Sequence, residues 1–198
     1  MKHVASLEQE FTDISVPTAI THAVTAIAAG SIATGRRMSA RFWILSVVSS
    51  ILADMDVLAF AFGIPYDHTF GHRGFFHSLC FAFLWALFVV AICFRNDSLG
   101  VKGRLMLCAY FALLTSSHGI LDMATDGGLG IALFSPFDKI RYLFPVRPFV
   151  AAPLTPSGFL SSWGLLVLLN EALGAWIPLL VLIYYFRTRV KPTFFPRT

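Results

Sequence analysis

Charge is scarce in this chain. Only 13% of its 198 residues are Asp, Glu, Lys or Arg while 57% are apolar, and the mean hydropathy of +0.72 takes it outside the range of ordinary soluble domains. Residues 1–16 carry Glu8, Glu10 and Asp13 and lack a basic segment before the first apolar run, so they do not look like a cleavable secretory signal. Cys80, Cys93 and Cys108 show no C-x-x-C spacing, which argues for packed or lipid-facing thiols rather than disulfides or ligands. There is no G-x-S-x-G elbow. Ser78 beside His77, and Ser116 and Ser117 beside His118, are sequence neighbours that rarely form a nucleophile–base pair, so a serine hydrolase is not supported. No internal repeat stands out.

Long apolar runs are what the chain does have. Crossing the hydrocarbon takes about 20 mostly apolar residues, and five runs qualify, at roughly 18–35, 42–62, 77–94, 104–121 and 163–186. The expected fold is therefore all-α, a polytopic membrane bundle of about five helices. Residues 1–17 form a polar N-terminal tail, 18–186 the transmembrane domain with a long Gly/Pro-rich outer loop at 122–162, and 187–198 a basic tail.

Orientation follows the Lys/Arg bias between alternate connections. With the N-terminus outside, the inner segments hold ten basic residues, Arg36, Arg37, Arg41, Arg95, Lys102, Arg104, Arg187, Arg189, Lys191 and Arg197. The outer segments hold five, Lys2, Arg73, Lys139, Arg141 and Arg147. The N-terminus is expected outside and the C-terminus inside. This asymmetry explains the net charge of +4 without nucleic acid as a partner.

On that map the ionisable residues of the spans fall at one end. His22 opens the first span, Asp54 and Asp56 close the second, His72, Arg73 and His77 open the third, His118 and Asp122 close the fourth, and Glu171 lies near the start of the fifth. An ionisable residue at the bilayer centre costs roughly 2.5–3.5 kcal/mol on insertion scales, so such residues are functional candidates by default. Their shared end implies a polar site at the outer membrane boundary.

The spacing suits a metal. "HGILD" places His118 and Asp122 at i and i+4 on one helix face, a two-ligand edge. In "ADMD", Asp54 and Asp56 lie about 200° apart on an ideal helix, so one can enter the ligand shell while the other orients a histidine. "GHRGFFHS" puts His72 in a loop and His77 in a first helical turn, with Gly71 and Gly74 permitting close approach. Imidazole with carboxylate suits zinc first, and also manganese or iron. Arg73 is a poor metal ligand and a good bidentate clamp for phosphate. His22 reads as ligand or interhelical packing residue, Glu171 as site residue or local hydrogen-bond acceptor, and His3 and His68 as solvent-exposed.

The order of His22 in a small-residue helix, then "DMD", "GHRGFFHS", "SSHGILDMATDGG" and "SPFDKIR" resembles the YdjM-like family of bacterial membrane-bound, metal-dependent hydrolases, over about Thr21–Arg141. That family is thought to be distantly related to zinc-dependent phospholipase C and P1-type nucleases. The resemblance implies as ligands His22, an Asp of "DMD", His72 or His77, His118 and Asp122. Of the two aspartates Asp56 is assigned to the metal, and the free carboxylate, Asp54, is the candidate general base, with Arg73 on the phosphate. Two departures accompany it. Phe76 replaces a small residue and is expected to narrow the pocket, and no histidine after Asp122 supplies the relatives' later His-x-x-x-Glu pair, which leaves one or two ions.

The expected function is hydrolysis of a phospholipid or other membrane-tethered phosphoester, in the cytoplasmic membrane with the site facing outwards. The rival is a non-catalytic membrane protein with a structural metal or an ion-handling role. The nearly pure apolar inner halves of the spans argue against a conduction path.

Overall fold

A computed structural model describes residues 17–34, 38–153 and 156–189, so the acidic N-terminal tail, Arg36, Arg37 and most of the basic C-terminal tail lie outside the described residues. Five apolar helices stand where five spans are expected. They are α1 (Ala19–Ala33), α2 (Ala40–Ala61), α3 (Leu79–Cys93), α4 (Gly100–Met123) and α5 (Ser162–Arg189). No strand is present among the described residues, only isolated bridges in the connection between α4 and α5.

Local chemistry sets most of the helix starts. Thr18, Ser39, Ser78 and Ser161 each cap a helix by accepting a hydrogen bond from the backbone N–H three residues on, which satisfies one of the donors a helix N-terminus leaves open. Among the described residues, only α2, α4 and α5 are helices long and apolar enough to cross a bilayer. The 15 residues of α1 and of α3 reach about 22 Å at 1.5 Å per residue, short of a hydrocarbon core of about 30 Å.

Both short helices stop at the polar end of the bundle. Ahead of α3 the chain runs through a 3-10 turn, Phe75–His77, whose His77 is buried. Ahead of α1, buried Glu171 takes the backbone N–H of Thr18 at 2.6 Å and the hydroxyls of Thr18 and Thr21 at 2.5 and 2.7 Å. Non-helical backbone at such depth is tolerated only where protein surrounds it.

The bundle divides into two halves. In one, Phe42, Val89, Leu107, Phe111 and Leu114 form an apolar core between α2, α3 and α4. Tyr110 donates to Ser46 Oγ at 2.9 Å and Trp85 to Ser49 Oγ at 2.9 Å, and such interhelical bonds together with close packing hold helices that gain no hydrophobic drive from lipid. Arg41 pins the α3–α4 turn through a two-point contact with Asp97 at 2.9 and 2.7 Å. The other half is polar.

The largely irregular stretch 124–153, ahead of α5, closes over that polar half. Ala132 N–H donates to Arg73 O, and Leu133 O accepts from Leu79 N–H at the start of α3, both at 3.0 Å. Ile131 pairs with Tyr142, and Thr125 with Phe149.

Candidate metal centre

α4 supplies the two donors expected from "HGILD", with His118 Nε2 3.8 Å from Asp122 Oδ2 and both side chains fully buried. The third comes from the 3-10 turn before α3, where His77 Nε2 stands 3.1 Å from His118 Nε2 and 3.3 Å from Asp122 Oδ2. Gly74 makes that turn possible. A Cβ there would lie 2.4 Å from Thr69 O, so any other residue would push the turn off its seat.

The fourth donor depends on a change of helix type. Within α2 the backbone is 3-10 from Leu52 to Val57. At about 120° per residue, in place of about 100°, positions 54 and 56 draw from roughly 160° apart to roughly 120°. Both carboxylates then reach His77 from opposite ring nitrogens. Asp54 Oδ1 lies 3.8 Å from His77 Nε2 and 3.2 Å from His118 Nε2, while Asp56 Oδ2 lies 3.0 Å from His77 Nδ1.

One donor atom from each of Asp54, His77, His118 and Asp122 lies within 4.8 Å of the others. The separations given above run from 3.1 to 3.8 Å. A tetrahedral zinc with ligands at about 2.0–2.1 Å needs ligand–ligand edges of roughly 3.3–3.4 Å, so the residues fit such an ion.

His118 Nδ1 is 2.7 Å from Ser50 O, an acceptor, so Nδ1 carries the hydrogen and Nε2 is left to face His77. His77 Nδ1 stands 3.0 Å from Asp56 Oδ2 without a hydrogen bond between them. The two Nε2 atoms approach to 3.1 Å, a separation that calls for a proton or a cation between them. Asp54 Oδ1 and both Asp122 oxygens, buried beside them with no hydrogen-bond partner, supply negative charge for it.

The remaining expected residues surround this group. Asp56 holds His72 Nδ1 at 2.6 Å and accepts from Arg73 N–H at 3.0 Å, so it orients two histidines from behind, and Asp54 rather than Asp56 belongs to the four-donor group. His22 stacks on His118 with ring centroids 3.8 Å apart, its Nε2 3.4 Å from Asp122 Oδ1. His72 lies edge-on to His77 at 5.7 Å, its buried Nε2 without a hydrogen-bond partner. Glu171 is saturated by Thr18 and Thr21, as a local acceptor. His68 is exposed, and His3 lies outside the described residues.

Arg73 does not snorkel to the surface. It is fully buried, with Nη1 donating to Gly127 O at 2.8 Å, Nη2 to Thr125 Oγ1 at 3.3 Å, and Nε 3.5 Å from Asp122 Oδ2. A Cβ on Gly128 would come within 2.2 Å of Nη1, so the glycine makes room for the guanidinium. Phe76 makes its ring contacts with Phe70, Phe75 and Phe81.

The sequence places Arg141 among the basic residues of the outer segments, and the structure turns it inward, half-buried. Its guanidinium donates to the carbonyls of Tyr66, His72, Arg73 and Gly130 and lies 4.6 Å above the Tyr66 ring. "SPFDKIR" was the available signal, since it closes the motif series, but nothing in it shows that the arginine turns inward.

An all-helical bundle with apolar spans and a His/Asp group buried at one end defines a polytopic membrane protein with a candidate metal centre. The profile of the YdjM inner membrane protein family matches residues 18–193, and the chain belongs to that family. It is similar to inner membrane protein YbcI of Escherichia coli (strain K12), 34% identical over 169 residues that cover 85% of this chain and 95% of YbcI. No solved structure matches.

Proposed function

We propose that this protein is a metal-dependent hydrolase of the inner membrane that cleaves a phosphoester in a phospholipid or another membrane-tethered substrate, and that its site faces outwards. The observation that carries the metal is the 3.1 Å approach of two Nε2 atoms beside oxygens of Asp54 and Asp122 that have no hydrogen-bond partner. The resemblance to zinc-dependent phospholipase C and P1-type nucleases, part of this proposal, supplies the reaction class.

His77, His118 and Asp122 are the ligands, and zinc is the first choice of metal. A divalent ion there supplies Lewis acidity, acidifying water and polarising a phosphoryl oxygen. Asp54 is the general base. Its side chain is 22% exposed whereas the other three are sealed, so it is the member of the group that water reaches. Arg73 places positive charge beside Asp122, its Nε 3.5 Å from the same Oδ2 that faces His77 and His118, and helps to hold that carboxylate in position. Asp56 stands 3.0 Å from His77 Nδ1 and orients that ring through its charge. His22 and His72 border the group and mark the place for a second ion.

The outward orientation is supported by the basic bias of the sequence, ten Lys/Arg in the inner segments against five in the outer.

The rival reading, a structural metal, is favoured by the presence of a fourth donor, since structural zinc sites are closed by four protein ligands. Asp54→Asn distinguishes the two. The hydrolase reading expects retained metal with a loss of phosphodiester turnover by about 10²-fold or more, the usual worth of a positioned base. Loss of the metal, with no hydrolysis by the wild type of any phosphodiester lipid supplied, would favour the structural reading.

A further inference from the structure

We propose that the connection between α4 and α5 is an interfacial element, its exposed face lying in the headgroup–acyl boundary of the leaflet at the site's end of the bundle. The proposal rests on the chain's place in a membrane and does not require the hydrolase reading.

The first observation is exposure. Phe137 is 87% and Val146 76% exposed, and Leu129 and Ile140 are exposed beside them. A segment bathed by water would not keep so many large apolar side chains on its outside, because contiguous patches of that kind mark a partner surface.

Height is the second. Leu133 O accepts from the N–H of Leu79, the first residue of α3, and Phe144 N–H donates to Met123 O at the last residue of α4. The connection is therefore pinned at two helix ends, at the site's end of the bundle. Its inner side is already occupied, with Ile131, Ala132 and Ser135 buried against the bundle. The outer side is what remains for a partner.

Charge selects the partner. Lys139 and Arg147 are exposed among the apolar residues, while the carboxylates of Asp126 and Asp138 are engaged by Ala151 N–H at 2.8 Å and Ile140 N–H at 2.9 Å. Apolar groups interleaved with exposed cations suit a lipid headgroup surface, where the former enter the acyl boundary and the latter meet phosphates. The turn at the opposite end, with Arg95, Asn96 and Ser98 exposed, serves as the aqueous reference.

Depth quenching tests the assignment. The full chain, with Cys80, Cys93 and Cys108 replaced by alanine, carries the fluorophore NBD through Phe137→Cys, Val146→Cys or, as aqueous control, Ser98→Cys, in nanodiscs of phosphatidylcholine with phosphatidylglycerol. The expected result is quenching at 137 and 146 by shallow nitroxide lipids and protection from aqueous iodide, with the reverse at 98. Iodide quenching at 137 and 146 equal to that at 98 overturns the proposal, and protection from both quenchers overturns it in favour of a second copy covering the patch. A size-exclusion profile matching the wild type identifies the folded variants, and agreement between two separate positions guards against a local effect of either label. Metal content plays no part in the readout, so its failure is distinct from failure of the hydrolase reading.

Discussion

Replacing Asp56 by asparagine keeps the shape of a side chain that touches no candidate metal position yet orients two histidines. The carboxylate accepts from His72 at 2.6 Å and from Arg73 N–H at 3.0 Å, and it faces His77 Nδ1 at 3.0 Å. The amide can serve only one side. If its oxygen faces His77 and Arg73, its NH2 forces His72 into the other tautomer; if it is turned round, two donors confront the NH2. The charge is lost either way. Hydrogen bonds to charged groups contribute about 1.5–3 kcal/mol and neutral ones about 0.5–1.5, so His77 loses on the order of 1–1.5 kcal/mol of support. At 1.4 kcal/mol per decade this is roughly a tenfold weakening of metal affinity, at the lower edge of the 10–100-fold seen when outer-shell partners of ligating histidines are removed. The assay is equilibrium dialysis of detergent-purified protein against chelator-buffered zinc. Unchanged affinity in a folded Asp56→Asn protein would refute the claim that Asp56 tunes His77.

Arg73→Lys keeps a positive charge but not the planar fork that reaches Gly127, Thr125 and Asp122 together. Metal content at saturating zinc is expected to persist, while phosphodiester turnover falls about 10–100-fold; unchanged turnover would reduce Arg73 to a structural residue. Glu171→Gln weakens three short contacts at the start of α1 and is expected to lower stability by about 1–3 kcal/mol, read as a lower Tm in detergent, with metal stoichiometry unaltered. Cysteines introduced at Ser157 and Arg189 should label from the outer and inner sides respectively, and reversed labelling would turn the site towards the cytoplasm.

The positions of the five apolar helices were legible because hydropathy alone separates them, and the shared end of the polar residues followed from alternating direction. The His118–Asp122 edge was legible too, since an i, i+4 pair on a regular helix needs no tertiary information. The relation between Asp54 and Asp56 was not. Their arrangement depends on a switch to 3-10 geometry from Leu52 to Val57, and "LADMDV" carries no Pro or Gly to announce one. The shortness of α1 and α3 was hidden for a related reason. Their apolar runs extend beyond the helices, and it is buried Glu171 and the glycine-bearing turn before His77 that end them. The inward turn of Arg141 was hidden because a charge count registers a guanidinium without showing that four carbonyls converge on it.

The central claim is that four side chains from three parts of the chain enclose a divalent metal. Elemental analysis of detergent-purified wild type beside His118→Ala, each after supplementation with zinc, manganese and iron, tests it most directly. His118→Ala removes one of the two facing Nε2 atoms and the ring on which His22 stacks. The account predicts a stoichiometric transition metal in the wild type and its loss in a variant that still inserts and elutes as the wild type does. A wild type that holds no stoichiometric metal after supplementation, or a His118→Ala protein that holds as much as the wild type, would contradict it.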